Sequence, residues 1–278
     1  MAAEKGHLTN KVAWVTGSSR GIGRVIASHL ASQGAAVAVH GTTPTSTQAF
    51  GEGNSLEEVA AGIAEESGSR ALPVFGDLTD EGVVQAMAGK IRQELGAIDI
   101  LVNCAGGDIG AAGISAPMAG KPPENNAVFI ALEDIRMVLD RNLMTCILCS
   151  REVAPEMMER KKGHIVSIGS VAGLMGAENS AIYATAKAAV HEYTRCLADM
   201  LRSYNVTANV IAPGDIETPR FLASRVVDED MRTTDGTLVR YGQSIEIARA
   251  VEFLASEKNT YITGQVLRVD GGKQIWAA

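Results

Sequence analysis

The sequence contains few of the residues that would indicate a disulfide scaffold or a nucleic-acid-binding surface. Four of its 278 residues are cysteine, which is too few for a disulfide framework and fits a reducing compartment. Lysine and arginine total 25 against 32 aspartates and glutamates, so the formal net charge is −7. Binding to a phosphate backbone needs a basic face, and we therefore expect a small-molecule substrate and no nucleic-acid partner.

Signals for a metal site and for a membrane segment are also missing. Cys146 and Cys149 have the spacing of a zinc or redox pair, but no second pair accompanies them, and no His/Asp/Glu cluster has ligand spacing. We interpret these two cysteines as small buried thiols and predict no metal. No apolar run is long enough to span a bilayer, and residues 1–10 lack the apolar core of a signal peptide. We expect a cytoplasmic protein with no membrane partner.

Aromatic residues are scarce, at 4% of the chain, whereas hydrophobic residues make up 46%. Aliphatic side chains must therefore form most of the core. Short β-branched runs alternate with longer amphipathic segments, and we predict seven strands, at residues 11–15, 36–39, 71–74, 99–102, 164–168, 206–211 and 265–269. This alternation predicts an α/β fold, with a Rossmann-like, doubly wound, seven-stranded and mainly parallel sheet flanked by helices.

Two stretches interrupt this alternation, at residues 107–130 and 214–242. Both follow predicted strands, so both should lie at the carboxyl edge of the sheet, where ligands bind in open α/β folds. We predict that they are substrate loops. Residues 131–160 are predicted to be helical, with Pro155 as a kink or boundary. The predicted organisation is an N-terminal tail at 1–10 and a single domain at 11–278.

A glycine-rich turn follows the first predicted strand and opens the first predicted helix. It reads Thr16-Gly17-Ser18-Ser19-Arg20-Gly21-Ile22-Gly23. Its glycines permit a tight turn and close approach of backbone N–H groups to a pyrophosphate, and the helix N-terminus adds positive potential. Such a turn alone is a weak signal, but its place after the first strand favours dinucleotide binding.

A second group of residues, Ser170, Tyr183 and Lys187, predicts acid–base chemistry. Tyr183 and Lys187 are four residues apart on a predicted helix and so share a face. A nearby ammonium favours the phenolate, so Tyr183 could exchange a proton with an alcohol oxygen that Ser170 also binds. Taken alone, a Tyr-x-x-x-Lys pair would be read as a surface helix face. Its combination with Ser170 and the glycine turn reverses that interpretation.

Residues 11–272 resemble the short-chain dehydrogenases/reductases of the single-domain type. The resemblance rests on several separate motifs: residues 16–23, Asp77, Asn103-Cys104-Ala105-Gly106, Asn142, Ser170, Tyr183, Lys187, and Pro213-Gly214 with Thr218. It implies a dinucleotide-binding and catalytic domain, and an NAD(P)(H)-dependent oxidoreductase that interconverts an alcohol and a ketone or aldehyde. Cys104 is a mild variation, because the family usually has Asn-Asn-Ala-Gly there.

The resemblance also implies a role for each matching residue. Asn142, Ser170, Tyr183 and Lys187 would be catalytic, with Asn142 holding a water that links Lys187 to solvent. Asp77 would bond the adenine, with Leu78 behind it, and Lys187 would also bond the nicotinamide ribose. The complete set of implied cofactor-binding residues is Gly17, Ser19, Arg20, Gly21, Ile22, Gly23, His40, Asp77, Leu78, Asn103, Ala105, Gly106, Tyr183, Lys187, Pro213, Gly214, Ile216 and Thr218.

The end of the second predicted strand bears on the choice between NAD and NADP. An acidic residue there would bind the ribose 2′-hydroxyl of NAD, but no Asp or Glu occurs between the start of this strand and Glu52. Arg20 could contact a 2′-phosphate instead. The absence of an acid and the presence of a base predict NADP as the preferred cofactor, with NAD as the alternative. His40 could receive the NAD ribose hydroxyl without a carboxylate.

Substrate and assembly are predicted from weaker features. The insert after Asn103 is similar to that of family members acting on polyols, sugars or sugar acids. The alternative is a 3-oxoacyl-thioester reductase, which would need a basic patch for an acidic carrier protein, with Arg136, Arg141, Arg151 and residues 160–162 as candidates. A more remote alternative is a non-catalytic dinucleotide-binding regulator, which the intact catalytic residues argue against.

Family resemblance implies a homotetramer, or at least a homodimer, in which the helices at 131–160 and 180–203 pack on symmetry mates. The sequence adds one observation. Both helices carry apolar residues on more than one face, namely Leu143, Ile147, Ala189 and Leu197, and such surface must be buried somewhere.

Overall fold

Strands and helices alternate along residues 6–275, the part of the chain that a computed structural model describes. The strands are β1 (Val12–Val15), β2 (Ala36–Gly41), β3 (Ala71–Phe75), β4 (Ile100–Asn103), β5 (Gly163–Ile168), β6 (Val206–Pro213), β7 (Ile216–Glu217), β8 (Gly242–Gln243) and β9 (Val266–Val269). The α-helices are α1 (Gly21–Ser32), α2 (Leu56–Ser67), α3 (Glu81–Glu94), α4 (Leu132–Leu139), α5 (Thr145–Arg160), α6 (Ala181–Leu201), α7 (Pro219–Ala223) and α8 (Ser244–Leu254).

Seven of these strands form one parallel sheet in the order β3-β2-β1-β4-β5-β6-β9. The predicted α/β fold with a doubly wound seven-stranded sheet is therefore confirmed. Successive strands are added on one side of β1 as far as β3, and then on its other side from β4 onwards. The order thus reverses between β1 and β4, and the crevice outside their carboxyl ends is where such sheets bind ligands. The short strands β7 and β8 pair separately.

Aliphatic side chains fill the space on both faces of the sheet. Helices α1, α2 and α8 pack on one face and α3, α5 and α6 on the other. Parallel strands covered on both faces read as continuous apolar runs, and β1 and β4 are buried at every residue. Cys146 and Cys149 are free, buried thiols in α5, as predicted. The division into a tail and a domain stays a prediction, although Leu8 is fully buried and its N–H donates to the Gln33 carbonyl at 3.0 Å.

The helical segment at 131–160 is interrupted at a different place from the predicted one. A π turn at Asp140–Met144 separates α4 from α5, whereas Pro155 lies inside α5. The Asn142 side chain donates to the Val138 carbonyl four residues earlier at 2.8 Å, a bond that competes with the helical backbone pattern. Pro155 is exposed, as is Arg151, so water can solvate the carbonyl that loses its helical partner. The prediction of a helix boundary at Pro155 was therefore wrong, whereas the alternative of a kink at Pro155 stays a prediction.

Among the described residues, every helix is too short or too polar to cross a bilayer.

Three histidines, of which His40 and His191 are buried and His164 is half-buried, make the stability of the fold sensitive to acid. Burial lowers the pKa of His40, His164 and His191 to about 4 each, whereas an unfolded histidine titrates near 6.5. The unfolded state therefore binds protons first as the pH falls, so the neutral rings stabilise the protein above about pH 6.5 and lose that contribution towards pH 4. We expect the free energy of unfolding to fall between pH 7 and pH 5, by roughly 2 kcal/mol for each ring.

Urea denaturation at the two pH values measures this effect. His164→Gln should reduce the slope of the free energy of unfolding against pH, because Gln does not titrate and unfolding would then take up about one proton fewer. An equal free energy of unfolding at pH 7 and pH 5 would show that these rings are not held neutral.

Candidate active site

A cleft of about 700 Å³ opens at the carboxyl ends of the central strands. Its volume lies within the range of small-molecule and cofactor sites. Every residue predicted for the site lines this cleft except Asn103 and Asn142. No group of three or more His, Cys, Asp or Glu side chains within residues 6–275 is gathered as a metal site.

The glycine turn is shaped for close backbone approach. Gly17 has a φ of +64°, and a Cβ there would lie 2.7 Å from the Ala105 Cα. A Cβ on Gly23 would lie 2.3 Å from the Gly17 carbonyl oxygen. Both contacts are too short, so a side chain at either position would push the turn away from α1 or β4. Helix α1 starts here with no acidic residue of its own in its first turn. An anionic phosphate at its N-terminus would share this end of the helix with the Glu52 carboxylate, which accepts from the Gly21 N–H.

His40 fixes this turn from the end of β2. Its Nδ1 accepts from the Gly17 N–H at 3.0 Å, and its Nε2 lies 3.1 Å from the Gly76 carbonyl, to which it donates as the neutral tautomer. The ring is 2% exposed, and burial is the main cause of its lowered pKa. Both ring nitrogens are already bonded, so the geometry gives His40 a positioning role and does not favour the predicted bond to a ribose hydroxyl.

Ser170, Tyr183 and Lys187 lie together in the cleft. Ser170 follows β5, and its Oγ accepts from the Ala172 N–H at 3.1 Å, which leaves its own O–H free to donate. Tyr183 is in the first turn of α6, and the Lys187 Nζ lies 5.7 Å from the centre of its ring. Lys187 is 5% exposed and donates to the Ile168 carbonyl at 2.8 Å. A buried ammonium is thus held beside the phenol, as a proton-exchanging tyrosine requires.

The two predicted residues outside the cleft support its walls. Asn142 Oδ1 accepts from the Gly107 N–H at 2.9 Å, and its Nδ2 donates to the Gly107 carbonyl at 2.9 Å, so its side chain clamps the start of the 107–130 segment. Asn103 is buried in β4 and donates to the Ser150 Oγ at 3.0 Å, which ties the sheet to α5. The water-holding role of Asn142 and the cofactor contact of Asn103 stay predictions.

One end of the cleft contains two charged residues that the sequence did not assign. Glu52 Oε2 accepts from the Gly21 N–H at 2.8 Å, at the start of α1. Arg141 comes from the π turn and lines the cleft, with its buried Nε unpartnered. Arg20, which was predicted here, donates to the Ser46 carbonyl. The premise that no carboxylate reaches this end was wrong, because the loop after β2 folds back and brings Glu52 to the glycine turn.

The other end of the cleft is formed by the two segments predicted as substrate loops. Asp108 and Lys121 come from residues 107–130, and Arg220 and Arg225 come from α7 and the residues after it. Thr218 caps α7 by accepting from the Phe221 N–H at 3.1 Å. Sequence reasoning located these segments at the sheet edge but could not select the side chains that face the cleft, since both lack a regular apolar period.

Comparison with known proteins gives consistent matches. The short chain dehydrogenase family matches residues 11–226. A 3-oxoacyl-[acyl-carrier-protein] reductase of Escherichia coli is 36% identical over 267 residues, covering 94% of this chain and 96% of the relative. A cyclohexanol dehydrogenase of Rhodococcus sp. strain TK6 is 37% identical over 270 residues, covering 95% and 96%. The crystal structure of a candidate gluconate dehydrogenase from Agrobacterium tumefaciens superposes with a TM-score of 0.80 at 30% identity, covering 96% of this chain and 97% of that one.

Proposed function

The chain belongs to the short-chain dehydrogenase family, and from that premise we propose that it is an NAD(P)(H)-dependent oxidoreductase interconverting an alcohol and a ketone or aldehyde. The observation that carries this proposal is the placement of Ser170, Tyr183 and Lys187 in the same cleft as the glycine turn. The glycine turn, Asp77 and Leu78 would hold the adenosine and phosphates, and residues 213–218 would hold the nicotinamide.

Each catalytic side chain has a distinct task. The nicotinamide, when bound, supplies or accepts the hydride. The free O–H of Ser170 donates to the substrate oxygen and orients it. Tyr183 gives a proton to that oxygen during reduction and removes it during oxidation, a contribution of about 10²–10⁴-fold to rate. The buried Lys187 side chain, whose Nζ lies 5.7 Å from the centre of the Tyr183 ring, keeps a cationic group beside the site of proton exchange.

For the cofactor we propose NADP in preference to NAD. Arg20 and Arg141 place two guanidinium groups at the end of the cleft where the glycine turn begins α1. The Glu52 carboxylate opposes Arg20, and the Asp77 carboxylate opposes Arg141. A 2′-phosphate would gain charge-assisted bonds to both arginines, whereas both carboxylates already accept hydrogen bonds, Glu52 from Gly21 and Asp77 from Thr79.

For the substrate we propose a polar polyol, sugar or sugar acid, because charged side chains line the end of the cleft formed by the two inserted segments. The alternative, a 3-oxoacyl-thioester reductase, is favoured by the E. coli relative. Of the arginines considered for docking a carrier protein, Arg160 pairs with the largely buried Asp99 at 2.8 Å and Arg141 lines the cleft. Arg151 forms only an exposed ion pair with Glu81 at 3.5 Å.

Turnover of a substrate panel tests the proposed function. Polyols, aldoses, sugar acids and 3-oxoacyl thioesters would be offered with NAD(H) and NADP(H), and the absorbance of reduced nicotinamide would be followed. We expect turnover of at least one carbonyl–alcohol pair. Cofactor binding without turnover of any compound would favour the non-catalytic alternative.

Assembly into a homotetramer or homodimer also belongs to this proposal. Met144 and Met200 are exposed beside α5 and on α6, and Leu143, Ile147 and Ala189 are half-buried. Leu197, in contrast, is buried within the chain's own core and contributes no surface. Sedimentation velocity at micromolar concentration should therefore give two or four times the 29.2 kDa chain mass. A mass of one chain would contradict the proposal.

A further inference from the structure

A largely buried arginine faces the cleft beside the catalytic tyrosine and has no ionic partner in the described part of the chain. Arg220, in α7, donates from Nη2 to the Asp108 carbonyl at 2.7 Å and to the Ala119 carbonyl at 3.4 Å. Its Nε is buried without a hydrogen-bond partner. Its bonds are therefore to neutral carbonyls, and its positive charge is not matched by a contacting carboxylate.

The surroundings of Arg220 place it between the catalytic residues and the 107–130 segment. A Cβ on Gly107, the residue that Asn142 clamps, would lie 3.5 Å from Arg220 Nη1. Burial lowers the pKa of Arg220, and the nearby Tyr183 and Asp108 act in the opposite direction. Arg220 and Tyr183 line the same cleft, so one bound substrate can contact both groups.

The balance of charge around Arg220 is positive. Lys121 also lines this part of the cleft, and within residues 6–275 its ammonium has neither a hydrogen bond nor an ion pair. Arg225 and Lys273 line it too, but both pair with Asp215, at 2.8 and 2.5 Å. The remaining carboxylate, that of Asp108, accepts at Oδ2 from Asn125 and Ser180, each at 2.7 Å, and its Oδ1 has no hydrogen-bond partner among the described residues, so its charge acts on Arg220 without contacting it. Four cations therefore face two carboxylates, which leaves two positive charges unmatched in this part of the cleft.

An uncompensated buried cation destabilises a fold, since the charge loses its hydration without gaining a counter-ion. Unpaired buried charges therefore occur mainly at functional sites, where a bound ligand supplies the opposite charge. A guanidinium is suited to this because its planar fork binds two oxygens of a carboxylate or phosphate in parallel. The positions of Arg220 and Lys121 in the cleft therefore point to the substrate as the counter-ion.

We propose that the substrate carries an anionic group, a carboxylate or a phosphate, that Arg220 binds directly with Lys121 assisting, while the reacting CH–OH carbon lies at Tyr183. This inference rests on the proposed hydride transfer and narrows its substrate class to hydroxy acids or phosphorylated alcohols. It disfavours 3-oxoacyl thioesters, because the atoms flanking their reacting carbon are neutral and would leave Arg220 unpaired.

Matched substrates and an arginine variant test the inference. Pentitols and hexitols, the aldonates of the same length and their terminal phosphate esters would be assayed with the unmodified enzyme. We expect at least one anionic class to exceed its neutral polyol in kcat/KM by about tenfold or more. Arg220→Met should lower kcat/KM for that anionic class by roughly ten- to a hundredfold, mainly by raising KM. For the neutral polyols, kcat/KM should change by less than about threefold. The better of the two anionic classes identifies the group.

Controls separate recognition from a structural role. Arg232→Met removes the same charge from the same inserted segment, but Arg232 lies outside the cleft and pairs with Glu217 and Glu229. This variant should leave kcat/KM unchanged for anionic and neutral substrates alike. Arg220→Lys should retain part of the anion preference. If Arg220→Met does not fold, Lys121→Met, which breaks no hydrogen bond, provides a second test. It should lower kcat/KM for the anionic substrates and leave kcat/KM for the neutral polyols unchanged.

Three results have distinct meanings. No turnover of any compound, thioesters included, would overturn the proposed function and this inference with it. Turnover in which neutral polyols equal or exceed both anionic classes would overturn the inference alone. Arg220→Met could instead lower kcat/KM equally for anionic and neutral substrates, with no preference between them in Arg220→Lys or Lys121→Met. That result would show that Arg220 only supports the loop.

Discussion

Replacing Tyr183 with phenylalanine is expected to lower kcat by about 10²–10⁴-fold, because only the proton donor is removed. The ring remains to fill its place on α6, and Lys187 keeps its 2.8 Å bond to the Ile168 carbonyl. The fold and the dissociation constant of the cofactor should therefore stay close to those of the unmodified protein. Steady-state kinetics with the best substrate of the panel, together with fluorescence titration of the reduced cofactor, measure both quantities.

A second tyrosine provides the matched control. Tyr204 follows α6, is exposed and does not line the cleft, so Tyr204→Phe removes the same hydroxyl without touching the site. It should leave kcat unchanged. Near-normal turnover by Tyr183→Phe would mean that another group exchanges the proton, and the mechanism proposed above would be wrong.

Replacing Arg20 with alanine is expected to weaken NADP binding by roughly ten- to a hundredfold, the value of a charged hydrogen bond of about 1.5–3 kcal/mol. The affinity for NAD should change far less, since NAD lacks the 2′-phosphate that this guanidinium would bind. NAD therefore acts as the internal control for damage to the loop, which Arg20 also holds through its bond to the Ser46 carbonyl. Dissociation constants of both cofactors for both proteins give the comparison.

Glu52 provides the opposite test at the same place. Glu52→Gln removes the negative charge but keeps an oxygen that can accept from the Gly21 N–H. It should tighten NADP binding more than NAD binding, because the 2′-phosphate of NADP adds negative charge that the carboxylate repels. If the unmodified protein binds NAD more tightly than NADP, the proposed cofactor preference is wrong, whereas the assignment of hydride transfer is unaffected.

Local patterns in the sequence were sufficient to predict much of the fold and the close approach of Tyr183 and Lys187. Strands such as β1 and β4 are continuous apolar runs, and the spacing between Tyr183 and Lys187 fixes their shared helical face. These features depend on residues close together in the chain. The parallel sheet then brings Ser170 and the glycine turn to one edge.

The failures occurred where a side chain acts across a long separation. The π turn depends on Asn142 bonding both Val138 and Gly107, and the second of these partners lies 35 positions away. Glu52 reaches Gly21 through an irregular loop whose course no periodicity indicates. Arg220 is notable because no carboxylate among residues 6–275 contacts it, and the absence of a carboxylate can be recognised only when the positions of all neighbouring groups are known.

The hydrogen bonds around His40 hold the glycine turn in one conformation before a dinucleotide binds. Besides its ring contacts, His40 accepts from the Ser19 N–H at 2.9 Å through its carbonyl and donates its own N–H to the Ser18 Oγ at 2.8 Å. The turn that would receive the pyrophosphate is thus ordered by β2 before any ligand arrives. Its conformational entropy is lost once, during folding, and is not lost again on binding. A rigid receptor of this kind lets the contacts formed with the phosphates appear almost undiminished as affinity.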